Sequence, residues 1–233
     1  MLLETGLRLR TFQVFNVLEG SWILVPESDD LDGFLEDMNE TLGLEGENRF
    51  VSLKEEKKGC NIYHVSLTKL FFLREFQIEP FVRDVRKAVR APSFLMTLSD
   101  PQVFTNEDMS RSFCGVPVQG GLGIVLQLIR QFDEVLTSYH KEVYYDPAIP
   151  HGTIGSCVSD LSFLAKKYSV YGNEYKGGEE TTDTEVEVSV DSVFLSIGNK
   201  TFRIPLDSWD LALFVAESSF HFWSVSIGTS ELV

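Results

Sequence analysis

The chain has 233 residues, of which 43% are hydrophobic and 24% charged, a composition typical of globular proteins that excludes collagen-like and wholly disordered chains. Asp and Glu number 35 against 20 Lys and Arg, which gives a formal net charge of −15. This charge excludes a protein that coats nucleic acid through a broadly basic surface, but it allows an enzyme with a local basic groove. Three cysteines without a CxxC pair predict neither a zinc ribbon nor a redox motif.

The N-terminus and the longest apolar run argue against export and membrane insertion. Residues 1–10 lack the unbroken apolar core of a signal peptide. The run over 211–227 is shorter than a bilayer span and contains Glu217 and His221. We therefore expect a soluble protein in a reducing compartment.

The first half of the chain predicts short strands and two amphipathic helices. Ser28 or Asp29 can cap the first helix and Gly43 ends its apolar pattern, while Pro80 suits the first turn of the second helix. The predicted elements are strands over 7–14 and 22–25, a helix that ends at 43, a loop with a short strand near 50–53, a strand over 61–70 and a helix that begins at 78.

The second of these helices carries a basic stripe opposite its apolar residues. Two interpretations stay open: a solvated helix face, which is the usual role of such a run of charges, or a surface that attracts a polyanion toward an otherwise acidic body. The cations of the stripe are Arg83, Arg86, Lys87 and Arg90.

The second half of the chain predicts more strands than helices, without strict strand–helix alternation. The predicted elements are strands over 94–98, 102–105 and 112–118, a helix over 124–142, a strand over 152–158, a helix over 160–168, an acidic glycine-rich loop over 172–187, and closing strands over 188–190, 193–197 and 201–204 with a hairpin turn at 198–200. This order predicts the α+β class with antiparallel sheets.

Two of the four histidines occur in one repeated pattern. His64 and His151 each stand two residues before a hydroxyl, Ser66 and Thr153, on two different predicted strands. Side chains alternate along a strand, so each imidazole shares a face with its hydroxyl. Two such strands that converge on one phosphate would supply an acid, a base and two hydroxyl donors, because histidine has both protonation states accessible near neutrality. This chemistry needs no metal.

Several further segments occur in the order of a known family. They are Gly20-Ser21-Trp22, Val25-Pro26, His64-Val65-Ser66-Leu67, Leu73-Arg74, Pro80-Phe81-Val82, Thr105-Asn106-Glu107, Ser110-Arg111-Ser112-Phe113, Tyr145, Gly198-Asn199-Lys200, Phe202 and Pro205-Leu206. Together with the two histidine motifs, they make the chain resemble the U6 small nuclear RNA phosphodiesterase family of the 2H phosphoesterase superfamily. The resemblance covers roughly residues 8 to 207.

This resemblance implies a fold and a function. The fold is α+β, with two lobes of pseudo-twofold related antiparallel sheets flanked by helices over residues 1–208, and it leaves 209–233 as an apolar C-terminal extension of unknown role. The activity is a nuclear 3′-to-5′ RNA exonuclease that trims the oligouridylate 3′ end of U6 RNA by metal-independent transesterification. The product is a 2′,3′-cyclic phosphate, which some members reopen to a monophosphate. The resemblance implies no cofactor and no membrane, and protein partners stay open.

The resemblance also implies roles for the repeated motif. His64 is expected to deprotonate the 2′-hydroxyl and His151 to protonate the departing 5′-oxygen, although the symmetry of the motif permits the reverse. Ser66 and Thr153 are expected to stabilise the charge that develops on the phosphorane.

Two residues outside the motif match nucleotide-binding positions of the family. Tyr145 is expected to stack on a base, or alternatively to be a packed loop aromatic. Glu107 lies in a turn that contacts the nucleotide in the family, and a plain turn residue is the alternative.

The chain departs from the family around His151. Gly152 and Gly155 replace apolar residues, so we expect a weakened strand, unfilled space and reduced activity. Two alternatives therefore stay open: another 2H enzyme that acts on 2′,3′-cyclic or 2′,5′ phosphodiesters, or a catalytically impaired relative that binds RNA or protein.

Overall fold

The computed structural model describes residues 20–56, 63–167 and 185–207. The strand predicted over 7–14, most of the acidic loop and the C-terminal extension lie outside these ranges. Within the ranges, no helix is both long enough and apolar enough to cross a membrane.

Strands and helices follow one another without a repeating order. The elements are β1 (Gly20–Val25), α1 (Asp29–Leu42), β2 (Val51–Ser52), α2 (Leu53–Glu56), β3 (Tyr63–Ser66), α3 (Glu75–Ala88), β4 (Phe94–Leu98), β5 (Gln102–Thr105), β6 (Ser112–Pro117), α4 (Leu122–Ser138), β7 (His151–Cys157), α5 (Ser162–Lys167), β8 (Val186–Val190), β9 (Ser192–Ile197) and β10 (Lys200–Pro205).

Most of the described strands form one sheet with two parts. The strand order is β10-β9-β1-β3-β7-β6-β5, with β2 paired to β7 off this path. We call β10, β9, β1 and β3 the first half-sheet, and β7, β6, β5 and β2 the second half-sheet. All the pairings within this sheet are antiparallel. The predicted α+β class with two antiparallel halves is thereby confirmed.

The sheet has one apolar face, which follows from the alternation of its sequence. In β3 the side chains of Tyr63 and Val65 are buried, whereas those of His64 and Ser66 are half-buried. The buried side chains of both half-sheets and of the helices belong to one hydrophobic core. This core includes Ile23, Leu31, Phe81, Val116, Leu128 and Leu195.

Helix α1 has the ends that its sequence predicts. The hydroxyl of Ser28 accepts a hydrogen bond from the backbone N–H of Asp30 at 3.1 Å. At the other end Gly43 adopts a left-handed conformation with φ 61°, which favours glycine. The cap and the terminating glycine are both confirmed.

Helix α3 begins earlier than its sequence predicts. It starts at Glu75 rather than at 78, so Pro80 lies in the second turn and not in the first. The side chain of Gln77 accepts a hydrogen bond from the backbone N–H of Arg74 at 3.0 Å, which stabilises the earlier start.

Other predicted boundaries shift by a few residues. Helix α4 ends at Ser138 rather than at 142, because the backbone N–H of Lys141 bonds back to the carbonyl of Leu136 at 2.9 Å and closes the last turn. The strand predicted over 61–70 ends at Ser66, and the strand predicted from 188 begins at Val186.

The basic stripe on α3 is exposed. Within it, a guanidinium nitrogen of Arg90 donates to the carbonyl of Arg86 at 3.1 Å, and Arg86 lies over the ring of Phe202 at 5.9 Å. These contacts are local to the helix and its neighbours, which favours the interpretation of the stripe as a solvated face.

The space beside Gly155 is filled, so the expectation of an unfilled gap there is wrong. A β-carbon at this position would lie 2.5 Å from Cδ1 of Leu35 and 3.1 Å from the carbonyl oxygen of Val51. Leu35 of α1 is itself 6% exposed. The glycine therefore lets α1 approach the sheet closely.

We expect Gly155→Ala to destabilise the protein by about 1–3 kcal/mol, since the added carbon overfills the contact with Leu35. Gly152→Ala is the matched control, because its β-carbon would meet Cδ1 of Leu98 at an ordinary 3.6 Å. Urea unfolding of both variants measures the difference. An equal loss in the control would show that Gly155 has no special packing role.

Candidate active site

The two half-sheets meet at a single residue pair. Strands β3 and β7 are antiparallel, and the pair that joins them is Val65 with Gly152. Val65 is 0% exposed and Gly152 is buried, so this pair faces the core. The residues that flank the pair point to the opposite face.

The flanking residues are the four that the sequence predicts as catalytic. Extending the register by one residue in each direction sets His64 opposite Thr153 and Ser66 opposite His151. All four side chains are half-buried. We call this surface the histidine face. The structure therefore brings the two motifs together, with each imidazole facing the other strand's hydroxyl and the two imidazoles on a diagonal.

His151 is held by a backbone hydrogen bond and by a stacked ring. Its Nδ1 lies 2.8 Å from the carbonyl oxygen of Ile149. A carbonyl can only accept, so Nδ1 carries a hydrogen and Nε2 is the nitrogen that gains or loses a proton. The ring of Phe104 stacks on the imidazole, with centroids 3.8 Å apart and planes 12° apart.

Gly115 makes this stacking possible. A β-carbon at Gly115 would lie 2.7 Å from the ring of Phe104 and 2.8 Å from Cδ2 of His151. Glycine inside a strand often marks a close approach of this kind, and that is the sequence signal that could have identified the position. Sequence reasoning missed both Gly115 and Phe104.

Burial lowers the pKa of His151, and the hydrogen bond to Ile149 offsets part of this effect. The neutral imidazole, with Nε2 unprotonated, is therefore favoured in the free protein. The acid role expected for His151 then requires a nearby negative charge that stabilises its protonated form.

His64 has an aromatic neighbour of its own. The ring of Trp22 lies 5.9 Å from the imidazole at an angle of 56°. Trp22 stacks on Phe194 at 4.7 Å and donates its indole N–H to the hydroxyl of Ser196 at 3.3 Å. The first half-sheet thus holds the ring of Trp22 beside His64, as the ring of Phe104 is held beside His151.

The two residues predicted to bind nucleotide lie together, around a lysine that was not predicted. Lys69 places its ammonium 4.4 Å from the ring centre of Tyr145 and 4.0 Å from the carboxylate of Glu107. Tyr145 is 52% exposed, so it is not the packed loop aromatic of the alternative interpretation.

Neighbourhood along the chain relates this cluster to the His151 side of the histidine face. Lys69 follows Ser66 closely along the chain, and Ser66 is set opposite His151. Glu107 follows Phe104, whose ring stacks on His151. The position of Lys69 just beyond a motif strand was the available sequence signal.

Among the described residues, a catalytic metal site and a cysteine nucleophile have less support than the two histidines. No group of three or more His, Cys, Asp or Glu side chains there is arranged to hold a metal ion. Cys114 is fully buried, and burial raises the pKa of its thiol, which is the opposite of what an activated nucleophile requires.

We expect His151 to titrate below 6.5 in the free protein, because burial disfavours its charged form. Phe104→Ala should raise this pKa toward 6.5 by exposing the imidazole to water. NMR titration of the imidazole resonances measures both values. A midpoint at or above 6.5 in the unsubstituted protein would contradict the effect of burial.

The fold has counterparts among solved structures. Usb1 from Kluyveromyces marxianus aligns with 81% of this chain and 98% of its own, with a TM-score of 0.55 at 15% identity. The same protein with uridine monophosphate aligns over the same shares with a TM-score of 0.51 at 14% identity. These likenesses show that the fold is shared.

Proteins related in sequence align with nearly the same share of this chain as the solved structures do. The U6 snRNA phosphodiesterase 1 of Danio rerio is 26% identical over 208 residues, which is 87% of this chain and 72% of that protein. Residues 22–205 match the model of the HVSL family, described as "uncharacterised conserved protein", and the chain carries these letters at 64–67. Because the match covers well over half of the chain, the protein belongs to the HVSL family.

Proposed function

We propose that this protein is a nuclear 3′-to-5′ exonuclease that trims the 3′ end of U6 snRNA. The observation that carries the proposal is the pairing of Val65 with Gly152, which assembles two imidazoles and two hydroxyls on one face. The name of the Danio rerio relative supports the substrate. The uridine monophosphate held by the Kluyveromyces marxianus protein supports recognition of a terminal uridine.

The reaction is an attack of the RNA on its own backbone. His64 takes the proton of the 2′-hydroxyl on the nucleotide before the scissile bond, and the resulting oxygen attacks the neighbouring phosphorus. The bond from phosphorus to the 5′-oxygen of the terminal nucleoside breaks, and His151 gives that oxygen its proton from Nε2. The shortened RNA keeps a 2′,3′-cyclic phosphate. Ser66 and Thr153 donate hydrogen bonds to the non-bridging oxygens while their charge grows.

The substrate itself prepares His151 for the acid role. A phosphate beside Nε2 places a negative charge next to the imidazole, which favours the protonated form and opposes the effect of burial. After cleavage His64 holds a proton and His151 has lost one. The same pair, with roles exchanged, can then direct a water molecule onto the cyclic phosphate and open it to a monophosphate.

The terminal base is held outside the histidine face. Tyr145 is half-exposed and lies beside Lys69, three residues beyond Ser66 of the motif, so its ring can stack on the terminal base. Stacking tolerates any base, and the preference for an oligouridylate end rests on further contacts of the nucleotide. Glu107 of the neighbouring turn is the candidate for such a contact.

Replacing either imidazole should lower kcat by about 10²-fold or more, the scale of a lost proton-transfer group. His64→Ala and His151→Ala together should cost far less than the product of the two single effects, because the pair acts as one unit. The control is His140→Asn at the end of α4, where Asn tolerates the positive φ of 55°. Near-normal rates in either single variant would remove that histidine from the mechanism.

The 2′-hydroxyl provides the sharpest test of the reaction type. A substrate with hydrogen in place of the 2′-hydroxyl on the nucleotide before the scissile bond should bind nearly as well and should not be cut, because it lacks the nucleophile. Trimming and affinity are measured on the same pair of oligonucleotides. Comparable trimming of the deoxy substrate would mean that water is the nucleophile and that the transesterification is wrong.

A further inference from the structure

Lys69, three residues beyond Ser66, is the centre of a charged cluster. Its ammonium lies 3.8 Å from the carboxylate of Glu142 and 4.0 Å from that of Glu107. The same ammonium lies 4.4 Å from the ring centre of Tyr145. One lysine therefore contacts both residues that the proposed function assigns to the nucleotide.

The contacts of Lys69 differ in their exposure to water. The side chain of Lys69 is 23% exposed, whereas the side chains of Glu107 and Glu142 are 83% and 82% exposed. Ion pairs with such exposed carboxylates are screened and contribute little. The contact between the Lys69 ammonium and the Tyr145 ring is favoured more than the ion pairs by the partial burial of Lys69. A cation over an aromatic face is stabilised more strongly as water is removed.

The two residues before Lys69 are hydrogen-bonded to Ser21 of β1. The preceding residue, Thr68, is 6% exposed and accepts a hydrogen bond from the backbone N–H of Ser21 at 2.9 Å. The backbone N–H of Leu67 donates to the carbonyl of Ser21 at 2.7 Å. Lys69 thus extends from a rigid point just beyond Ser66 on β3.

Tyr145 has a second fixed neighbour. The ring of Tyr144 meets it in a T-shaped contact, with centroids 5.4 Å apart and planes 77° apart. Tyr144 is 7% exposed, and its backbone N–H donates to the carboxylate of Asp133 at 2.8 Å. Lys69 and Tyr144 thus both contact the half-exposed ring of Tyr145.

We propose that Lys69 is a positioning residue that holds the ring of Tyr145 ready for the terminal base of the RNA. This inference rests on the proposed function and adds to it a residue outside the histidine motifs. Lys69 acts through Tyr145, because its contact with the ring is partly buried, whereas its ion pairs with the exposed carboxylates contribute little. A role as a phosphate ligand is the alternative that the test separates.

The test is a double-mutant cycle on oligouridylate-ended RNA. Lys69→Met should raise KM about 3- to 10-fold and leave kcat nearly unchanged, the scale of a lost cation–aromatic contact that orders a binding surface. Lys69→Arg should restore KM, because a guanidinium also packs over an aromatic ring. In the Tyr145→Ala background, Lys69→Met should have no further effect.

Lys54→Met is the matched control. Lys54 also lies over a tyrosine ring, that of Tyr63 at 5.4 Å, and also pairs with two carboxylates, at 2.9 Å and 3.6 Å. Tyr63 is buried on the opposite face of β3, so this variant should leave KM unchanged.

NMR provides a readout that does not depend on activity. The ε-methylene protons of Lys69 should be shifted upfield by the ring of Tyr145, and Tyr145→Ala should remove that shift. An unshifted Lys69 resonance in the unsubstituted protein would overturn the inference.

The outcomes separate the inference from the proposed function. An undiminished effect of Lys69→Met in the Tyr145→Ala background, with a shallower salt dependence of binding, would make Lys69 a phosphate ligand and overturn the inference alone. If the Lys69→Met variant trims RNA normally with an unchanged KM, the inference is overturned and the proposed function stands. Failure of the unsubstituted protein to trim RNA would overturn the proposed function, and the inference with it.

Discussion

The pairing of Val65 with Gly152 is the contact on which the candidate site depends. It joins two antiparallel half-sheets, and both residues face the core. Because side chains alternate along each strand, one pair that is fixed inward forces its neighbours outward. A shift of either strand by one residue would turn the imidazoles and hydroxyls into the core. Stability of the core and assembly of the site therefore have the same cause.

Close packing around the pair gives the two imidazoles different surroundings. At Gly115 the missing side chain admits Phe104, whose ring covers His151 and lowers the imidazole pKa through burial. His64 instead lies beside the tilted ring of Trp22. The two motifs are alike in sequence, but their imidazoles have different aromatic neighbours in the structure.

The sequence predicted the elements and the motif, but not the contacts between distant segments. Alternation along a strand suffices to put an imidazole and a hydroxyl on one face, and a capping serine with a terminal glycine suffices to bound α1. The filling of the space at Gly155 by Leu35 depends on how a helix packs on the sheet, and local patterns do not contain that information. The cluster around Lys69 likewise joins three segments far apart in the chain.

In the proposed reaction, the RNA's own hydroxyl is the nucleophile and two histidines suffice to move the protons. The most direct measurement is mass spectrometry of the RNA left after the protein acts on an oligouridylate-ended substrate in the presence of EDTA. We expect shortened RNA that ends in a 2′,3′-cyclic phosphate, or in the monophosphate formed when that ring opens. Shortened RNA with 3′-hydroxyl ends, or trimming that returns only when a divalent ion is restored, would contradict the proposed reaction.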